Sequence, residues 1–198
     1  MNFRNYKVIV LIVLLISSVA INAQTYKYEI LAKNKKIGTI EGTITKKDNL
    51  TNVDIIALGE IDFILKEHIK YKLNSMYKDG ELIFSSATIF LNNKTHFSSV
   101  VKKEDDYYII DKNEHKESFT DPIHYSGALL YFIEPKAFKR IFSEIDNVEK
   151  DIIKESKDTY KIINPATKNA SYFTYENGIL ETANIHHTYI DVRINRIE

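Results

Sequence analysis

The sequence predicts a mainly β fold: a single strongly curved antiparallel sheet or partly closed β-barrel of about ten strands, with one or two short helices at 122–145 packed in the concavity. Three observations predict it. Apolar and polar residues alternate with a period of two from Gln24 onward, as Tyr26, Tyr28, Ile30 and Ala32 do against the mostly charged Lys27, Glu29, Leu31 and Lys33. Asp79-Gly80 and Asn177-Gly178 have the composition of two-residue hairpin turns, whose backbone needs positive φ. The 13 Tyr and 10 Phe, with only 3 Pro and 6 Gly, suit pleated, half-buried strands. Strands this numerous in a meander must curl, close or split to cover their apolar side.

Ahead of the sheet, residues 1–23 read as a secretory signal peptide. Arg4 and Lys7 precede an unbroken apolar run from Val8 to Ile16, followed by Ser17, Ser18 and Ala20 and a cleavage point after Ala23. The run is shorter than the roughly 20 residues of a membrane span. Ile21, three residues before the cut, is larger than usual there. Residues 24–198 then form one β-rich domain in the periplasm, with extracellular release as the wider alternative.

Each element has its own justification. Asn34-Lys35-Lys36 can turn the chain, which sets Ile30 opposite Ile40, Tyr28 opposite Gly42 and Tyr26 opposite Ile44. Residues 51–66 read as one strand bent at Gly59 or as two short ones. The Asp79-Gly80 turn pairs Lys78 with Glu81, Tyr77 with Leu82, Leu73 with Ser86, Tyr71 with Thr88 and Ile69 with Phe90. Asn92-Asn93 turns the next strand so that Phe97 faces Thr88, and Glu104-Asp105-Asp106 turns into Tyr107–Asp111. At Asp121-Pro122 the alternation stops; Asp can cap a helix and Pro fits its first turn. Ile123–Ile133 is apolar almost all round, which predicts a buried helix ended by Pro135. Phe138, Ile141, Phe142 and Ile145 have the spacing of a second short helix. Strands resume at about 148–155 and 158–163. Asn177-Gly178 pairs Tyr175 with Leu180 and Phe173 with Thr182. Ile190, Val192 and Ile194 share one face of the last strand.

Composition narrows the function. Lysine and arginine total 27 and so do aspartate and glutamate, a balance that argues against nucleic-acid binding and polybasic membrane attachment. No cysteine is present, so neither disulfides nor a lipid anchor at the cleavage site is available. No second apolar run reaches spanning length, and no stable membrane insertion is expected; an outer-membrane barrel, which shows the same alternation with its faces exchanged, is the rival. His186 and His187 are adjacent, so on a strand they point to opposite faces and cannot chelate one metal. Glu60 and Asp62 share a strand face, but nothing else supports a carboxylate pair. Ser126 is not a nucleophile elbow, because His124 and Ala128 stand where glycines are needed; it is expected to position the start of the helix. The expectation is a non-enzymatic protein with no cofactor and no metal. The candidate ligand-binding side chains are the aromatics on the concave face: Tyr26, Tyr28, Tyr71, Phe84, Phe90, Phe97, Phe173 and Tyr175. Core packing accounts for them equally well.

The segments YSGALLYFIEP (125–135), IFSE (141–144), SYFTYENGI (171–179) and IHHTYIDVRI (185–194) resemble an uncharacterised family of signal-peptide-bearing Gram-negative envelope proteins, classed as a domain of unknown function. Ser126, Leu130, Tyr131, Phe132, Glu134, Pro135, Ser143, Glu144, Asn177 and Gly178 match its pattern, while Phe173 stands where tyrosine is usual. The resemblance implies Gram-negative export and a shared fold, and it carries no activity and no catalytic residues. The plan also looks like the curved-sheet and lipocalin-like lipid carriers of the periplasm, at the level of fold only. The expected function is binding of an apolar or lipid-like molecule; the alternative is a structural or protein-interaction module of the cell envelope without a small ligand.

Overall fold

The computed structural model of the chain describes residues 21–62, 66–186 and 191–197. Strands β1 (Asn22–Ala32), β2 (Lys35–Lys47), β3 (Leu50–Asp62), β4 (Lys66–Lys78), β5 (Glu81–Leu91), β6 (Lys94–Lys103), β7 (Tyr108–Lys112) and β8 (His115–Phe119) form one antiparallel meander. A second contains β9 (Arg140–Ser143), β10 (Val148–Lys154), β11 (Thr159–Ile163), β12 (Ala170–Glu176), β13 (Ile179–Ile185) and β14 (Val192–Arg196). Antiparallel pairing of β1 with β14 fuses the two into one 14-stranded sheet that ends at β8 and β9.

The sheet is not closed by hydrogen bonds between its ends, yet it curls until they nearly meet. The ring of Phe119 on β8 lies 5.6 Å from that of Phe142 on β9. Strand twist accumulated over so many strands makes a flat sheet untenable. The gap is bridged by the connection between the two meanders. Leu82 N–H donates to the Ile123 carbonyl at 2.8 Å and Phe142 N–H to the Tyr125 carbonyl at 3.0 Å, so this connection is tied to both arms.

Two expectations are corrected here. Among the described residues there are 14 strands where about ten were expected, because short β8 and β9 and the Asn113-Glu114 turn (φ 47° and 70°) lack glycine and proline punctuation. The helices expected at 122–145 reduce, among the described residues, to one 3-10 turn at Gly127–Tyr131. Asp121 is exposed and caps nothing, and Arg140–Ser143 is strand β9. An all-round apolar stretch has no helical period to enforce; bonded to β5 and β9, it satisfies its backbone while extended. The curved sheet with a buried apolar connection in its concavity stands.

The turns at Asp79-Gly80 (φ 53° and 80°) and Asn177-Gly178 (φ 54° and 83°) form as expected, with Lys78 opposite Glu81, Tyr77 opposite Leu82 and Tyr175 opposite Leu180. Farther along each hairpin a β-bulge moves the register by one. Leu73 pairs with Ala87, Tyr71 with Ile89, Ile69 with Leu91 and Phe173 with Ala183. One extra residue turns the side chains that follow it to the other face. Ser85 and Ala87 therefore point inward and are buried, while Phe84 and Phe90 lie on the outer face and do not join the core. A further bulge between Ile89 and Phe90 places Phe97 opposite Ile89 and keeps it inside. In the first hairpin Lys33-Asn34 makes the turn (φ 50° and 62°), so Tyr28 faces Ile40 and Tyr26 faces Gly42. That two-residue shift preserves the expected face. Ile190 and His187 fall outside the described residues.

Candidate functional site

The connection occupies the concavity as a plug. Its carbonyls sit in apolar surroundings and need donors. Tyrosines supply them: Tyr28 Oη donates to the Tyr131 carbonyl at 2.9 Å, Tyr175 Oη to the Leu130 carbonyl at 3.0 Å and Tyr125 Oη to the Ile133 carbonyl at 2.5 Å. Burial raises the pKa of all three hydroxyls, which keeps them neutral donors. At the far end of the plug, buried Glu134 accepts from Tyr160 Oη at 2.8 Å and pairs with Lys136 at 2.9 Å.

Glu144, in the turn after β9, is the buried carboxyl at the start of the 3-10 turn, with 3% of its surface exposed. Its Oε1 accepts from Ser126 Oγ and, at 3.2 Å, from Ala128 N–H. Gly127 leaves room for the carboxyl: a Cβ there would lie 2.7 Å from Oε2. Ser126 Oγ also meets Tyr77 Oη at 2.6 Å. Beside them Ser75 and Ser85, the latter inward-facing because of the bulge, bond each other at 2.9 Å. Burial pushes the Glu144 pKa up, against the pull of the Ser126 hydroxyl and the surrounding backbone N–H groups. Ser126 does stand at the N-cap position of the 3-10 turn, but its hydroxyl makes no capping bond there and turns instead to Glu144 and Tyr77.

Between plug and sheet lies a cavity of about 530 Å³. One wall comes from β4 and β5 (Tyr71, Leu73, Ile89), the opposite one from β11 to β13 (Ile162, Phe173, Ile185). The plug contributes Leu130 and Tyr131, and β9 with its turn adds Phe142 and Glu144. Exposed Thr167 and His186 mark the open end, where Lys150 is ion-paired with Asp146.

Of the eight aromatics picked out from the sequence, Tyr71 and Phe173 line this cavity. Tyr28 and Tyr175 use their hydroxyls to hold the plug, and Tyr26 and Phe97 pack against the core, the Tyr26 ring 6.0 Å from that of Phe132. Phe84 and Phe90, on the outer face, cannot reach it. Ile89, Tyr131 and Glu144 were not among the eight; the Ser-Glu and Leu-Tyr-Phe patterns of the resemblance were the available signal for the last two. Two of the histidines have partners of their own: His124 Nδ1 is 3.2 Å from the Gly80 carbonyl, and His186 Nδ1 is 3.2 Å from Asp191. Among the described residues no three His, Asp or Glu side chains are grouped to hold a metal.

A curled antiparallel sheet with a plugged concavity defines a β-barrel-like class of protein. Consistent with that, the chain is similar to the crystal structure of a "Beta-barrel-like Protein of Domain of Unknown Function DUF1849 from Brucella abortus", with a TM-score of 0.59 and 11% identity over 92% of this chain and 98% of that one. At that identity the likeness is one of fold alone. The chain itself belongs to the family described as Domain of unknown function (DUF6134), which matches residues 28–197. No curated protein matches it.

Proposed function

We propose that this is an exported periplasmic protein that binds, without chemistry, an apolar or lipid-like molecule in the cavity between plug and sheet. The observation that carries the reading is the cavity itself. Its about 530 Å³ falls within the roughly 300–1,000 Å³ typical of small-molecule sites, and its walls are mostly aliphatic and aromatic. The outward face favours an aqueous setting over a bilayer: Glu41, Asp54 and Lys72 are exposed mid-strand, where a lipid-facing barrel carries apolar residues. The interaction-module alternative finds less support. Edge strand β8 exposes His115, Lys116 and Glu117, charged and polar groups that discourage strand addition. The exposed Ile56 and Leu58 on β3 sit opposite Lys72 and Lys70.

Two experiments test this. Mass spectrometry of an organic extract of the purified protein is expected to find a co-purified apolar molecule. Ser171→Trp, which places an indole in the cavity wall, is expected to weaken binding of the fluorescent apolar probe N-phenylnaphthylamine at least about tenfold while leaving the circular-dichroism spectrum unchanged. Full probe binding in this variant would place the probe elsewhere and remove the carrier reading. Export has a separate readout: N-terminal sequencing of the periplasmic protein should begin at Gln24. Cleavage there removes only the Asn22–Lys46 and Ala23–Thr45 pairs at the exposed start of β1, and an uncut chain in the membrane fraction would overturn it.

A further inference from the structure

The tyrosines in and around the core divide in two. Tyr28, Tyr77, Tyr108, Tyr125, Tyr160 and Tyr175 each have a hydrogen-bond partner for the hydroxyl. Tyr71 and Tyr131, both half-buried, have none among the described residues, and both line the cavity. A hydroxyl that faces a cavity without a protein partner is completed there by water or by a ligand. We infer that the cavity takes an amphiphile through a neutral oxygen, a hydroxyl or an ester or amide carbonyl, that accepts hydrogen bonds from Tyr71 and Tyr131. This rests on the carrier reading above and names the ligand's polar group.

Two features favour neutral oxygen over a carboxylate such as that of a fatty acid. Glu144 faces the same cavity, and whether ionised or protonated it offers no countercharge to an anion. Lys150, the cation in the lining, is already held by Asp146. Burial first and Glu144 second raise the pKa of both phenols, that of Tyr131 to about 12, so both remain protonated donors at any physiological pH. An ammonium head is not favoured either, because the Glu144 oxygen nearest Ser126 already accepts from that hydroxyl and from Ala128 N–H.

The test displaces N-phenylnaphthylamine from the full mature protein with four molecules of one chain length: dodecanol, dodecyl chloride, dodecanoate and dodecylamine. Dodecanol is expected to bind about tenfold tighter than dodecyl chloride or dodecanoate, the equivalent of one to two net hydrogen bonds. In Tyr71→Phe/Tyr131→Phe the preference for dodecanol over the chloride should shrink to about twofold or less. Because neither hydroxyl has a protein partner to lose, the double variant should unfold at the wild-type temperature or above it. Equal binding of alcohol and chloride, or tighter binding of dodecanoate, overturns the inference and leaves the carrier reading intact. So does tighter binding of dodecylamine that Glu144→Gln abolishes, which would assign the site to a cation. A drop in the double variant's unfolding temperature would reveal protein partners for the two hydroxyls and overturn it as well. If none of the four displaces the probe, the carrier reading fails and the inference with it.

Discussion

Glu144→Leu is expected to lower the unfolding free energy by about 3–5 kcal/mol, because the leucine has the bulk to fill the site but accepts no hydrogen bond. Ser126 Oγ and the Ala128 N–H would lose their shared acceptor inside the protein, with the Gly127 backbone pressed against the same carboxyl. Each buried donor left bare contributes about 1–3 kcal/mol. For a chain of this size the shift in melting temperature is about 10 °C, readable by thermal or urea unfolding. A loss below about 1 kcal/mol would mean that water reaches the pocket and that Glu144 does not pin the plug to β9.

The same residue gives the stability a pH dependence of defined sign. Its folded-state pKa is raised by burial, so the folded protein binds this proton more tightly than the unfolded chain does. The stabilisation from Glu144 is therefore complete below the unfolded value, about 4.3, and declines as pH rises through the folded one. Asp146 acts in the opposite direction. Burial alone would raise it, but the Lys150 hydrogen bond and charge prevail and hold it low, so its contribution is present at neutral pH and lost on acidification. Glu81, held low by its hydrogen bond from Lys103, behaves likewise. Glu144→Gln removes only the first effect. Urea unfolding of both proteins between about pH 4 and pH 8 should show the wild type losing ground to the variant as pH increases. A gap that moves the other way would show the carboxylate to be the form the fold prefers.

How much of this was legible in the sequence depends on where the instruction resides. Asp79-Gly80 and Asn177-Gly178 announce themselves because positive φ is carried by residue types that tolerate it, and the pairs beside them follow at once. Lys33-Asn34 and Asn113-Glu114 adopt the same backbone with residues that carry no such mark beyond asparagine. The bulges in the Asp79-Gly80 and Asn177-Gly178 hairpins carry no glycine to mark them. The one between Met76 and Tyr77 reverses the facing of everything that follows on β5, which is why Phe84 and Phe90 looked like cavity residues and Ser85 and Ile89 did not. The plug was legible as buried and illegible as to conformation. A helix satisfies its own carbonyls, whereas 123–133 relies on Tyr28, Tyr125 and Tyr175, two of them donated from strands far away in the chain. The Glu144 site depends likewise on Tyr77 and Ser126, 49 residues apart, a juxtaposition that only the curled sheet creates.

Gly42→Leu is expected to cost about 3 kcal/mol and to impair the cavity along with the fold. Gly42 lies on the inner face of β2, opposite Tyr26, and its missing side chain is the seat of Phe132. A Cβ there would come 2.8 Å from Phe132 Cζ and 3.6 Å from Ile55 Cγ1. Overpacking commonly costs about 1–3 kcal/mol when the neighbour can yield. Here the ring is buried and hemmed by Tyr26 and by Tyr131, its centroid 6.4 Å from the latter, so it has little room to retreat. Full eviction would approach the about 3–5 kcal/mol of a Phe→Ala truncation. Because Tyr131 is both neighbour to Phe132 and wall of the cavity, the variant should also bind N-phenylnaphthylamine more weakly. Gly59→Ala is the matched control: its Cβ would meet nothing closer than the Ile37 carbonyl at 3.6 Å, and its effect should stay within about 0.5 kcal/mol. Combining Gly42→Leu with Phe132→Ala lets the leucine occupy the vacated seat, so the double variant should be more stable than the two separate losses imply, by about 1 kcal/mol or more in a double-mutant cycle. Additive losses would mean that Phe132 does not rest on Gly42 and that the plug is held by its tyrosine hydrogen bonds alone.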